Sequence, residues 1–124
     1  MRAKNGFTLI ELLVALAIVG MIVAIAAPRY FSNIDRTKED VLREDLYLLR
    51  DAIDKYFADH NAYPNELEDL VKDKYLRAIP KDPFTNSSST WIVMPPETAA
   101  HGAVANVRSG ATGTGRDNTQ LGDW

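Results

Sequence analysis

The distribution of apolar residues divides the chain into two parts of different character. Residues 7–27 read FTLIELLVALAIVGMIVAIAA, a run of 21 residues in which Glu11 is the single charge. As a helix this run spans about 31 Å, which matches a bilayer hydrocarbon core of about 30 Å. The pattern therefore predicts one membrane-spanning helix near the start of the chain and leaves the remainder for a domain with one modest core.

The residues after this run continue the helix, but with a different pattern. Over residues 29–61, apolar positions recur at alternating steps of four and three and predict one buried stripe, formed by Leu42, Leu46, Leu49, Ile53 and Tyr56. This spacing lasts barely two heptads, so we expect the stripe to pack against the chain's own sheet rather than in a coiled coil.

Shorter elements follow the long helix. Asn61-Ala62-Tyr63-Pro64 predicts its end, because the residue before a proline avoids the helical region. Asn65 is predicted to cap a second helix over residues 65–73, with Glu68 completing a capping box. The buried face predicted for this helix consists of Leu67, Leu70 and Val71.

The rest of the chain predicts a small sheet and a long loop. Two β-prone runs within residues 90–108, namely 90–94 and 103–108, suit an antiparallel pair laid on the long helix. The loop at 109–124 is rich in Gly, Thr and Asn, and the apolar indole of Trp124 favours a docked loop over a flexible tail. The expected fold is α+β: a long N-terminal helix, membrane-embedded in its first half, packed on a small antiparallel sheet with a loop-rich C-terminus.

Charge and composition refine this picture. Arg2 and Lys4 are the only charges before the apolar run, so the N-terminus is predicted to be cytoplasmic and the residues after Pro28 exported. The net charge of −3 does not indicate a nucleic-acid partner. The chain has no cysteine, which excludes disulfides and thiolate metal sites. The charged residues between Asp35 and Asp45 fit either a solvated helix face or a lateral contact between subunits.

Glu11 decides how the apolar run is interpreted. A secretory signal is disfavoured because the run is too long and Pro28 follows its small-residue end. A plain signal anchor explains the length and orientation, but not a carboxylate that costs about 2.5–3.5 kcal/mol to insert. Cleavage between Gly6 and Phe7 would create an ammonium group four residues before Glu11. Glu11 is then expected to pair with its own amino terminus or with that of a neighbouring helix.

Residues 6–14, GFTLIELLV, resemble the class III processing signature of type IV pilins and type II secretion pseudopilins. The resemblance implies that prepilin peptidase removes residues 1–6, a leader ending in Gly6, and that Phe7 is N-methylated. It also implies that Glu11 neutralises the Phe7 amine of an adjacent subunit during assembly. The implied assembly segment is residues 7–28, with Thr8 and Pro28 as further assembly residues. Pro28 removes one helix hydrogen bond and favours a kink.

Three later segments, residues 61–64, 79–84 and 121–124, resemble the major pseudopilin (G type) of type II secretion systems. The resemblance implies a structural subunit that polymerises through its N-terminal helix into a periplasmic pseudopilus supporting export across the outer membrane. The implied partners are other copies of the chain, prepilin peptidase, minor pseudopilins and the inner-membrane assembly platform. The chain would be a single-pass inner-membrane protein with residues 29–124 in the periplasm. A type IV pilin fibre and an anchored module that never polymerises remain the alternatives.

The resemblance fails in one place, the C-terminal loop. Major pseudopilins hold calcium there through aspartates, but this chain has Asn118 and Gln120 where acids are expected and Thr112 where another is common. Asp117 is the nearest retained carboxylate. Because calcium affinity depends on the charge of its ligands, we expect weak or no calcium binding, no cofactor, and a loop held by docking of Leu121 and Trp124.

The residue patterns do not indicate catalysis. His60 follows Asp59 directly, and adjacent helix residues point in different directions. Ser87, Ser88 and Ser89 lack the Gly-x-Ser-x-Gly context of a nucleophile elbow. We therefore expect a structural protein and not an enzyme.

Overall fold

The computed structural model describes residues 6–98 and 100–124. In chain order the elements are α1 (Leu9–His60), α2 (Glu68–Lys72), β1 (Ile92–Met94), β2 (Asn106–Arg108) and a 3-10 turn at Leu121–Asp123. The described residues fall into two compact units that divide after Asp35. The predicted α+β fold, with its long N-terminal helix and small antiparallel sheet, is confirmed.

In the first unit, the apolar side chains of α1 are exposed, as membrane contact requires. Within the described residues, α1 is the one helix long and apolar enough to cross a bilayer. Pro28 lies inside α1, so the helix accommodates the missing hydrogen bond without ending there. The predicted membrane segment and leader boundaries stay predictions.

In the second unit, the stripe on α1 forms the core. Leu42, Leu46, Leu49 and Ile53 are buried and Tyr56 is half-buried, as the periodicity predicted. The same core cluster includes residues from later in the chain, among them Leu70, Trp91, Val104 and Val107. The helix ends at His60, one residue before the predicted boundary. Asn61 then adopts a φ of 53°, and its amide donates to the Phe57 carbonyl at 2.8 Å, a left-handed cap that asparagine tolerates.

The second helix differs from the prediction of residues 65–73. It covers only Glu68–Lys72, its N-cap is Leu67, and Asn65 does not cap it. The carboxylate of Asp69 reaches back instead and accepts the amides of Asn65 at 3.0 Å and Glu66 at 3.3 Å. This carboxylate satisfies the free amides from inside the helix, so the predicted capping box is wrong. Leu67 and Leu70 are buried as expected, whereas Val71 is only half-buried because so short a helix presents a narrow face.

The sheet is shorter than the predicted strands. β1 and β2 pair antiparallel with Val93 opposite Val107. Trp91 leaves the ladder because its ring enters the core, where Nε1 donates to the Pro80 carbonyl at 2.8 Å. At the start of the other run, the amide of Val104 donates to the Pro64 carbonyl at 2.9 Å instead of to β1. Tertiary partners therefore shorten both strands.

Candidate functional site

The junction between Gly6 and Phe7 lies outside the helix, which begins two residues later at Leu9. Phe7 is 90% exposed, and apart from Gly6 and its chain neighbours no heavy atom of the described residues lies within 4 Å of the position that a Cβ on Gly6 would occupy. The peptide bond is thus open to a peptidase, which needs an accessible and non-helical substrate. The cleavage itself stays a prediction.

Thr8 and Glu11 form a reciprocal capping box at the start of α1. The Glu11 amide donates to Thr8 Oγ1 at 3.2 Å, and the Thr8 amide donates to Glu11 Oε2 at 3.3 Å. Thr-x-x-Glu before an apolar run is the recognised sequence form of this box, so the local residue pattern already carries the signal for it. The Glu11 carboxylate therefore has a hydrogen-bond partner, the Thr8 amide, within its own chain.

The predicted assembly residues do not all converge in space. Gly6, Phe7, Thr8 and Glu11 are grouped at the start of α1, whereas Pro28 lies 17 residues beyond Glu11 along the same helix. At 1.5 Å per residue this separation is about 26 Å. Pro28 thus belongs to the opposite end of the apolar span.

The C-terminal loop contains a tight turn. The Gly115 amide donates to the Thr119 carbonyl at 2.8 Å, and the Asn118 amide donates to the Gly115 carbonyl at 3.1 Å. Asn118 has a φ of 63°, a left-handed conformation that asparagine adopts more easily than most residues. Leu121 is 2% exposed and Trp124 packs against the core, so the predicted docking of the loop is confirmed.

The carboxylates of this loop face arginines. Asp117 accepts the amide and the hydroxyl of Thr119, and these hydrogen bonds, more than the Arg43 guanidinium 3.2 Å away, lower the pKa of Asp117. Asp123 lies 3.9 Å from Arg108. Both acids closest to the expected calcium position are therefore engaged by groups of the chain itself.

The remaining side chains around the loop's cleft carry no charge. A cleft of about 290 Å³ in the loop is lined by neutral residues, namely Ala111, Thr112, Gly113, Thr114, Gln120 and Gly122. Across residues 6–98 and 100–124, no three His, Asp or Glu side chains gather closely enough to hold a metal ion. Calcium prefers several oxygen ligands including carboxylates, and weak or no calcium binding by this loop stays a prediction.

The side chains weighed for catalysis have separate structural partners. The His60 ring stacks on Tyr56 with 4.1 Å between centroids, while Asp59 accepts the Tyr75 hydroxyl at 2.5 Å. This hydrogen bond raises the pKa of Tyr75 to about 12. Ser87 and Ser89 share a hydroxyl hydrogen bond in their loop. Each group therefore has a local structural role.

A long helix with exposed apolar side chains, a Gly–Phe junction before it, and a small α+β unit after it define a pilin-like subunit. Residues 1–27 match the family described as the prokaryotic N-terminal methylation motif. Type II secretion system core protein G of Pseudomonas aeruginosa is 36% identical over 101 residues, covering 68% of this chain and 71% of that protein. The chain therefore belongs to the family of type II secretion system core protein G, the major pseudopilins.

Further relatives of the same name match nearly the whole chain. The protein of Klebsiella pneumoniae is 27% identical over 140 residues, covering 100% of this chain and 96% of its own length. That of Escherichia coli K12 is 28% identical over 135 residues, covering 96% and 92%. No solved structure matches the chain. The relatives thus span both the apolar helix and the α+β unit.

Proposed function

We propose that this chain is the structural subunit of a type II secretion pseudopilus and polymerises through the apolar part of α1. The observation that supports this most directly is the grouping of Gly6, Phe7 and Glu11 at the exposed start of that helix, in a member of the core protein G family. The exposed apolar side chains need a cover of lipid before assembly and of neighbouring helices after it.

Processing would convert the start of α1 into a pairing site. Prepilin peptidase would cut after Gly6 and methylate Phe7, which then carries an ammonium group. Within one subunit, Glu11 accepts a hydrogen bond from the Thr8 amide. In the fibre, Glu11 would neutralise the Phe7 ammonium of a neighbour. A buried charge that loses its partner typically costs about 3–5 kcal/mol, so this pairing would select one register between helices.

The same proposal places the chain in the cell. Arg2 and Lys4 would hold the N-terminus in the cytoplasm, residues 7–28 would cross the inner membrane, and residues 29–124 would lie in the periplasm. Minor pseudopilins and the inner-membrane assembly platform would be the heterologous partners. We assign the chain no catalytic role and no nucleic-acid partner.

Crosslinking tests the polymer directly. Membranes containing the wild-type chain, treated with an amine-reactive crosslinker, should yield a ladder of multimers under denaturing conditions. Recovery of monomers alone from abundant, processed protein would support a non-polymerising anchored module instead. Fibres found on the cell surface at natural expression levels, with no secretion defect on deletion of the gene, would support a type IV pilin.

A further inference from the structure

Glu39 is a buried carboxylate whose partner lies far away in the sequence. Within the described part of the chain, the buried acids are Glu39 and Asp82, and Glu39 is 8% exposed. Asp82 is satisfied by Ser109 and by the Phe84 amide. Glu39 is satisfied by Arg116 of the C-terminal loop, 77 residues further along the chain.

The contact between these two residues fixes the main chain of the loop as well as a side chain. The backbone amide of Arg116 donates to Glu39 Oε1 at 2.9 Å, and Nε of the same residue donates to Oε2 at 3.1 Å. Both carboxylate oxygens are therefore used by one residue. Hydrogen bonds with ionised partners are shorter and stronger than neutral ones, and a guanidinium suits the planar carboxylate.

Two arginines of α1 make additional contacts with the C-terminal part of the chain. Arg43, one turn after Glu39, lies 3.2 Å from Asp117 and 3.9 Å from the centroid of the Trp124 ring. Arg50 donates to the carbonyls of Val107 and Trp124. The spacing of four and seven residues places all three α1 side chains on one helix face.

The turn of the C-terminal loop packs closely against the ring of Trp124. A Cβ on Gly115 would lie 2.4 Å from Cζ2 of Trp124, so this position requires glycine. The Trp124 indole donates to the Thr119 hydroxyl at 2.6 Å, and that hydroxyl in turn donates to Asp117. The turn is thereby tied to the arginine face of α1 through its own polar side chains.

We propose that the Arg116 guanidinium, bound by Glu39, takes the place of calcium as the cation that orders the C-terminal loop. In a calcium-bound loop, the carboxylates lie in the loop and the cation comes from solution. In this chain the positions of the two charges are exchanged: the cation belongs to the loop, and the buried carboxylate belongs to α1. The pseudopilin would then fold and assemble independently of the calcium concentration in the periplasm.

Thermal unfolding of the full-length chain in detergent tests this proposal. The midpoint should be the same in millimolar calcium and in excess chelator, because calcium occupying a micromolar site would raise it by many degrees. Glu39→Gln and Arg116→Gln should each lower the midpoint, and for each variant the decrease should be the same with calcium as with chelator. The exposed residues Glu44 and Arg77 provide matched controls, Glu44→Gln and Arg77→Gln, which should leave it unchanged.

Hydrogen exchange localises the effect and guards against a general loss of fold. The amides of Gly115 and Leu121 are bonded within the loop and should exchange about tenfold faster or more in both variants. The core amides of α1 should keep their protection. The double variant should lose little more protection than either single variant, because each of them removes the charged pair between Glu39 Oε2 and Arg116 Nε. Arg116→Lys, which keeps the positive charge that Arg116→Gln removes, should fall between wild type and Arg116→Gln.

Two results would overturn the proposal. A wild-type midpoint that rises by several degrees with calcium would show that the loop binds the ion, whatever the variants do. A calcium-independent midpoint, together with Glu39 and Arg116 variants that behave like the controls, would show that packing of Leu121 and Trp124 is sufficient.

Discussion

Glu11 makes one contact in the structure, the helix cap, and we propose a second one in the fibre; a single substitution can separate the two. As the third residue of α1 it caps the helix through the Thr8 amide, a role that a glutamine can also fill. Neutralising an ammonium group requires the carboxylate itself. The two roles therefore depend on different properties of one side chain.

We expect Glu11→Gln to insert into the membrane normally and to abolish the crosslinking ladder, because it keeps the cap but loses the charge. Thr8→Ala removes the cap, typically worth about 1 kcal/mol, and should weaken assembly far less. Both are measured by crosslinking of membranes with equal amounts of processed protein. Normal multimers from Glu11→Gln would refute the pairing role of the carboxylate, and loss of multimers from Thr8→Ala alone would assign assembly to the cap.

At the same scale, the charged residues between Asp35 and Asp45 do not act as one group. Asp35, Asp40 and Glu44 are exposed, whereas Glu39 is buried. Desolvation, followed by the nearby Asp82, raises the pKa of the half-buried Asp45. The sequence alternatives of a solvated face or a lateral contact therefore omitted a third use, the anchoring of the chain's own loop.

At the scale of elements, α1 changes its environment along its length. Nearly all apolar side chains in its first part are exposed, whereas its last part buries one stripe. Leu48 and Leu49 illustrate the second arrangement, since Leu48 is 42% exposed and Leu49 is 0% exposed. Leu49 therefore lies on the buried face of α1, and its neighbour Leu48 lies on the exposed face.

Leu49→Ala should destabilise the protein by about 2–5 kcal/mol, because it leaves a cavity among the packed side chains of the core. Leu48→Ala is the matched control and should change stability by about 0.5 kcal/mol or less. Urea unfolding in detergent, followed by tryptophan fluorescence, measures both. Equal destabilisation by the two substitutions would contradict the assignment of the buried stripe.

At the scale of the molecule, the two units have opposite surfaces. The first exposes nearly all of its apolar side chains, whereas the second buries one set of its own in a core shared by α1, the sheet and the C-terminal loop. Exposed apolar surface of this extent needs lipid or other copies of the helix. This difference between the units fits the proposed subunit, whose first unit would lie in the membrane before polymerisation and contact other subunits after it.

Processing is the step that would release such a subunit for assembly. The intact mass of protein extracted from a host with prepilin peptidase should lack residues 1–6 and include one added methyl group on Phe7. A bulky residue at Gly6 should leave the chain unprocessed, whereas Gly20→Ala, inside α1, should be processed normally. A wild-type chain that keeps its leader, or that begins after Ala27, would contradict this prediction.

The sequence alone determined the features that depend on neighbouring residues. The apolar run, the Gly6–Phe7 junction and Glu11 are contiguous, so their meaning could be recognised without a fold. The stripe from Leu42 to Ile53 follows from helical periodicity, which is also a local property. The processing site and the core face of α1 were predicted for these reasons.

Only the tertiary structure decided which distant groups meet. Asp69, instead of Glu68, accepts the Asn65 amide before α2, and Trp91 and Val104 left the strand ladder for partners elsewhere in the fold. The pairing of Glu39 with Arg116 joins residues 77 positions apart. Such contacts depend on how the chain folds back on itself, and the local pattern of charges could not distinguish Glu39 from its solvated neighbours.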